Sequence, residues 1–215
     1  TYGHDRIARA WHRQTAVHQT LTLDGANSQT QATHRLFRSE TGFDAVCVDN
    51  AAYEGLLHRR TVWFVGHRLF VLLDEAIGEA KGMLDLHFQF APGQIVLDVE
   101  RKRAHTCFPD SNVLVWTDLD APVAVAEEPG WFAWGYNKRV PRLGFRYRHA
   151  RQAAPAYFLT LLVPYRGSKT PQAHAELAEG FVVGAGRAEI RAELDDNRWR
   201  LGYDLGAGRI WCEPV

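Results

Sequence analysis

The sequence predicts an all-β protein: a large antiparallel β-sandwich of two sheets, with little helix. Three observations carry that expectation. Apolar residues recur at every second position in segment after segment, the pattern of strands half-buried in a sheet. Turn signals separate those segments at Asp24-Gly25, Ala91-Pro92-Gly93, Pro109-Asp110, Glu128-Pro129-Gly130, Arg166-Gly167-Ser168 and Gly206-Ala207-Gly208. Helical periodicity is almost absent, and many short strands joined by turns point to a sandwich.

In chain order, the segment before residue 17 reads as a loop or irregular entry that carries His4 and His12. A strand is expected over residues 17–23, with Val17, Leu21 and Leu23 on one face and His18, Thr20, Thr22 and Asp24 on the other. Another strand starts at His58-Arg59-Arg60, which places His58 at the surface or in a cleft. Residues 69–73 (LFVLL) are apolar on both faces and predict a central strand covered on two sides. In residues 84–90 (LDLHFQF) the leucines and phenylalanines take one face, while Asp85, His87 and Gln89 take the other. That reads as a half-buried strand with His87 on its exposed side.

Residues 171–178 form the best helical candidate, a short one. Residues 188–194 alternate again with Ile190, Ala192 and Leu194 inward. Asp195-Asp196-Asn197 then turns the chain, and Trp199, Leu201, Tyr203 and Leu205 face inward on a partner strand, which makes a β-hairpin. Gly184-Ala185-Gly186-Arg187 recurs as Gly206-Ala207-Gly208-Arg209. A strand pattern follows each copy where a phosphate-binding loop needs a helix, so both read as turns. A seam near residues 166–171 separates a sandwich over residues 1–165 from residues 166–215, expected as a terminal hairpin sheet packed on the same sandwich.

Bulk composition narrows the function. The 215 residues are 46% hydrophobic and 23% charged, with Lys+Arg and Asp+Glu equal at 25 each, so no global field draws nucleic acid or a membrane surface. Glu100-Arg101-Lys102-Arg103 is short enough to be a solvated strand end. Cys47, Cys107 and Cys212 lack any CxxC pair, which argues against a disulfide framework or a cysteine zinc site and leaves single buried thiols. No apolar run approaches the roughly 20 residues that span a bilayer, and no signal peptide is visible. The chain opens at Thr1 and Met83 is its one methionine, so it is expected to be a mature protein or a piece of a longer one.

No Gly-x-Ser-x-Gly elbow and no nucleophilic cysteine context is present, and none of the ten histidines forms a His-Glu-x-x-His pair. His18, turned away from the apolar face, is either an exposed strand histidine or one ligand of a metal site. The cluster Tyr2, His4, Arg6, Arg9, Trp11, His12 and Arg13 holds only one acid, Asp5. Rings that stack on a sugar and guanidinium groups that bind its carboxylate suit an anionic saccharide; the plainer reading is a polar entry loop.

The stretch Trp-His-Arg-Gln-Thr-Ala-Val-His-Gln-Thr-Leu-Thr-Leu-Asp-Gly, residues 11–25, resembles a segment of the heparinase II/III-like polysaccharide lyases, whose pattern is close to R/Q-T-x-A-H-N-T-V-x-V-D-G. Looser blocks follow in the same order over roughly the first 165 residues: His58 to Val65, Phe70 to Asp74, Leu86 to Gly93, Gly130-Trp131 and Tyr136-Asn137-Lys138. The resemblance implies a C-terminal antiparallel β-sandwich that packs against an N-terminal (α/α) toroid, with the active site between them. It implies zinc held by the histidine matching His18, by an aspartate, and by a His-x-His loop, the last two lying before Thr1. Gln19 replaces the family's asparagine. In the alginate-lyase branch a tyrosine acts in the run before the tryptophan. Tyr2 is the only tyrosine there and His4 lies nearer the expected position, which makes both catalytic candidates. Trp11 and Arg13 are the substrate-binding candidates and His18 the metal ligand.

The implied reaction is β-elimination from a uronic-acid polysaccharide, alginate or glycosaminoglycan, by a periplasmic or secreted enzyme. With the toroid outside the chain, these 215 residues alone are expected to be inactive. The alternative is a non-catalytic carbohydrate-binding or structural β-sandwich.

Overall fold

The computed structural model describes residues 5–29, 31–152 and 154–215. One helix, Arg6–His12 (α1), and a single 3-10 turn, Thr15–Val17, precede sixteen strands. The first eight are Leu21–Leu23 (β1), Ala32–Glu40 (β2), Phe43–Tyr53 (β3), Leu56–Val65 (β4), Leu69–Gly78 (β5), Gly82–Gln89 (β6), Ile95–Asp98 (β7) and Arg103–Thr106 (β8). The rest are Ser111–Thr117 (β9), Ala124–Gly135 (β10), Lys138–Arg151 (β11), Ala156–Arg166 (β12), Ala173–Leu177 (β13), Arg187–Leu194 (β14), Asn197–Asp204 (β15) and Arg209–Pro214 (β16).

The antiparallel sandwich expected from the alternation is present, as a stack of three sheets. A central eight-stranded sheet, in the order β2-β3-β4-β5-β12-β9-β8-β7, has a four-stranded sheet on each face. β1-β6-β11-β10 covers one face and β13-β14-β15-β16 the other. Trp63, Val71 and Leu161 of the central sheet bury themselves against Ile190, Leu201 and Tyr203 of the terminal sheet. On the opposite face, Ala76 and Phe158 meet Leu86, Phe88, Phe145 and Tyr147. Each such fully buried side chain stabilises by about 1.5–3 kcal/mol, so the two cores together hold three layers without a helix.

β5 contributes to both cores: Leu69, Val71 and Leu73 enter one and Ala76 the other. Its last turn of sequence carries two consecutive acids, Asp74 and Glu75, both with 0% exposure and facing opposite layers. Asp74 meets His58 and Arg60, while Glu75 accepts from the Tyr203 hydroxyl and from the Gly184 N–H at 2.9 Å. The 188–205 hairpin is present in the predicted register, with Ile190 opposite Leu201 and Ala192 opposite Trp199.

Four local expectations are corrected. Residues 171–178 form no helix: Ala173–Leu177 pairs antiparallel with β14, and Ala175 against Ala192 lets the sheet close on its core. Residues 84–90 are covered on both faces, since side chains from β10 and β11 roof Asp85 and His87. The strand expected over 17–23 shortens to Leu21–Leu23, because the 3-10 turn takes Thr15–Val17 and His18 caps it. His12 ends a helix and does not lie in an irregular loop. Of the three unpaired thiols, Cys47 is buried as expected, but Cys212 is half-buried and Cys107 exposed. Among the described residues no helix is long and apolar enough to cross a membrane.

Candidate functional site: a cationic, aromatic cleft

The cleft is built from the entry segment upward. Asp5 caps α1, its carboxylate accepting from the Ala8 N–H at 2.9 Å. One turn later α1 presents Trp11 and His12, whose rings meet edge to face at 4.7 Å. The chain then bends through the 3-10 turn and reaches His18 in extended conformation, exposed.

Two buried networks fix the carbonyls on either side of His18. The Gln89 amide donates to the Ala16 carbonyl at 2.9 Å and to Glu128 at 3.2 Å. Glu128 also accepts from His87 Nδ1 at 2.8 Å and from Arg146 at 3.3 Å, while the Thr22 hydroxyl lies 2.8 Å from His87 Nε2. On the other side Arg60 donates to the Gln19 carbonyl at 2.6 Å and to both oxygens of buried Asp74, at 2.6 and 3.2 Å. His58 Nε2 completes the Asp74 cluster at 2.6 Å. Burial alone pushes the Asp74 carboxyl up, but Arg60 and then His58 outweigh it and hold the group below the usual carboxylate value. His58, expected at the surface or in a cleft, and His87, expected on an exposed face, are therefore the buried supports of the His18 segment, at 5% and 2% exposure.

An open cleft of about 440 Å³ lies between α1, the His18 segment, the end of β6 and the β10–β11 ribbon. Its walls include Trp11, His12, His18, Gln89, Trp131 and Arg142. Arg142, at 9% exposure, sets its guanidinium 5.9 Å from the Trp11 ring and donates Nε to the Trp131 carbonyl at 3.2 Å. Its Nη1 is buried with no acceptor among the described residues, and Gln89 Oε1 is likewise buried without a donor. A Cβ on Gly130 would come within 3.1 Å of both Trp11 and Arg142, so any larger residue would push ring and guanidinium back by a few tenths of an ångström. Burial lowers His12 below the ordinary imidazole value, and Arg139 and Arg142 lower it further. A neutral imidazole beside guanidinium groups can accept a proton while the guanidinium groups bind an anion.

Of the sequence-predicted residues, Trp11 and His18 share this cleft. Arg13 is exposed and lines a second opening with His18, Thr20 and Asn27, so His18 stands between the two. Tyr2 and His4 lie outside the described residues. Among the described residues no group of three His, Cys, Asp or Glu is placed to hold a metal ion; His18 offers one ligand and not a complete site. Arg142, Gln89 and Arg139 were missed. The signal for the two arginines was available: residues 129–142 (PGWFAWGYNKRVPR) contain four aromatics, three cations and no acid.

Fold and site together define a β-sandwich whose open end gathers cations and rings from its first helix and its longest hairpin. The chain belongs to the heparinase II/III-like, C-terminal family, whose model matches residues 1–175. It is 29% identical over 200 residues to a heparin-sulfate lyase of Bacteroides stercoris, covering 92% of this chain and 30% of that protein. A heparin-sulfate lyase of Pedobacter heparinus is 34% identical over 168 residues, covering 76% of this chain and 26% of that protein. Among solved structures, a heparinase III gene product superposes with a TM-score of 0.86 at 30% identity, over 91% of this chain and 31% of that one. Heparan sulfate lyase HepC of Pedobacter heparinus gives 0.82 at 27% identity, over 96% of this chain and 31% of that one. The chain thus spans less than a third of the length of the relatives it matches.

Proposed function

We propose that this chain is the C-terminal β-sandwich of a periplasmic or secreted polysaccharide lyase, and that the Trp11–His18–Arg142 cleft is its wall of the active site. The substrate is a uronic-acid glycosaminoglycan of the heparan type, the class named in its relatives. In the reaction a base removes the proton α to the uronate carboxylate, the β carbon–oxygen bond breaks, and an acid protonates the departing glycosidic oxygen. The charge that builds on the carboxylate needs cationic N–H donors waiting for it. Arg142 fits that task, and its buried Nη1 without an acceptor is the observation that carries this reading. Trp11 offers its indole to the sugar ring and Arg13 a guanidinium at the rim. The principal acid and base, with Tyr2 and His4 as this chain's candidates, act with an (α/α) toroid domain of the parent protein. His18 supplies one ligand to a zinc ion completed by residues outside this chain.

Release of unsaturated uronate from heparan sulfate tests the proposal. The parent protein is expected to be active and the 215-residue chain inactive. Arg142→Ala in the parent should lower kcat/KM by about 100-fold, the usual cost of removing one preorganised charge stabiliser. His18→Ala should lower the zinc content of the parent. Product release by the isolated chain, or unchanged kcat/KM in Arg142→Ala, refutes the assignment; activity on alginate alone would replace the substrate.

A further inference from the structure

The β10–β11 ribbon outruns the sheet that carries it. β11 pairs with β6 over residues 144–151, but residues 138–142 pair with β10 alone. Trp11 packs at the base of this part, where Gly130 lies opposite Arg142. Beyond that point the ribbon extends about 16 Å, taking five residues at about 3.3 Å each.

Its surface composition is unusual for a solvent-exposed hairpin. Trp131 and Phe132 are each 38% exposed, and Trp134 and Tyr136 are each 59% exposed. Exposed apolar area of this kind, concentrated on one projection, marks a binding surface. The charges narrow the choice of partner. Arg139 sits 4.6 Å over the Trp131 ring and Lys138 4.7 Å over the Trp134 ring, with no Asp or Glu between residues 129 and 142. The whole chain has a net charge of zero, so this is a local concentration of positive charge. Each of two exposed rings carries a cation with no acid nearby, which favours a partner of negative charge. A ring that packs on the apolar face of a sugar, next to a cation that takes its carboxylate or sulfate, matches an anionic saccharide on both counts.

We propose that the tip of this ribbon, Trp134 with Lys138, is a second saccharide site that holds the anionic polymer outside the reaction cleft, beyond the cleft wall that Trp131 forms. The choice of a sulfated or uronate chain as ligand rests on the function proposed above. Because the tip lies beyond Arg142, it acts on substrate capture and leaves the bond-breaking step alone. Loss of Trp134 or of Lys138 should therefore raise KM and leave kcat unchanged.

The test titrates the 215-residue chain with a heparan sulfate oligosaccharide by calorimetry, at low and at physiological ionic strength, with a neutral polysaccharide as control. Trp134→Ala should weaken binding about 3- to 10-fold. Lys138→Ala should reduce its salt dependence. Both positions are exposed, so the melting temperature should stay within about 2 °C of the starting protein. Kinetics of the same variants in the parent should show the KM effect. Unchanged affinity in both variants overturns the proposal. So does a parent that loses thermal stability while its affinity holds, which would make the ribbon a contact with another domain. If the ribbon variants are silent while Arg142→Ala still abolishes turnover, only the ribbon site fails. If they weaken binding but the parent releases no unsaturated product, only the lyase reading fails.

Discussion

Arg60→Ala is the substitution that most directly tests how the His18 segment is held. Asp74 is fully buried, and Arg60 supplies two of its three side-chain hydrogen bonds, including the one on Oδ2. Removing one partner of a buried pair costs about 3–5 kcal/mol. Arg60 is itself 24% exposed and His58 remains in place, so water and the imidazole recover part of that, leaving about 2–3 kcal/mol. For a protein of this size the melting temperature should fall by about 4–12 °C. The pH dependence gives a second handle. In the starting protein the Asp74 carboxyl is held low, so its contribution is present above the ordinary carboxylate value and lost as pH falls through the depressed one. Without Arg60 burial dominates, Asp74 takes up a proton at higher pH, and the deficit should narrow from about pH 7 to about pH 5. Thermal denaturation of Arg60→Ala, Asp74→Asn and the double variant gives the coupling between the two positions, expected above about 1 kcal/mol. Additive effects, or a melting temperature within about 2 °C of the starting protein, would refute the role assigned to the pair.

Two further substitutions probe buried Glu75 and half-buried Glu128. Burial raises the Glu75 carboxyl, so its contribution is present at low pH and lost as pH rises through the raised value. Glu75→Gln should therefore gain stability relative to the starting protein as pH rises above the ordinary carboxylate range; a constant difference in melting temperature would contradict it. Glu128→Ala leaves His87 and Gln89 short of a partner and should cost about 1–3 kcal/mol in urea unfolding, with faster amide exchange at Val17 and His18. Unchanged exchange there would show that the Gln89 anchor does not depend on Glu128.

What the sequence revealed and what it hid follow from the same physics. Alternation identified the 188–205 hairpin because one face of each strand meets a core and the other meets water. It misjudged residues 84–90, since a polar face roofed by Glu128, Arg146 and Arg148 carries the same alternation as a solvated one. His87 was misplaced for that reason. The helix expected over 171–178 rested on Ala173, Ala175, Glu176 and Leu177, good helix formers that pairing with β14 overrides. Trp11 and His18 were found through the segment that carries them. Arg142 was not, because it is distant in sequence and meets Trp11 only where the hairpin folds back over Gly130.

The two adjoining acids of β5 have a consequence for how the chain finds its pairing. A strand that is apolar on both sides cannot choose its alignment from hydrophobicity, because sliding it by one residue exchanges one leucine or valine for another. Asp74 and Glu75 remove that freedom. A one-residue slip would carry Asp74 toward the Tyr203 layer and Glu75 toward the Arg60 layer, and both carboxyl groups would lose their partners at once. The least hydrophobic step of the most buried strand thus acts as the pin that sets the alignment of the whole stack.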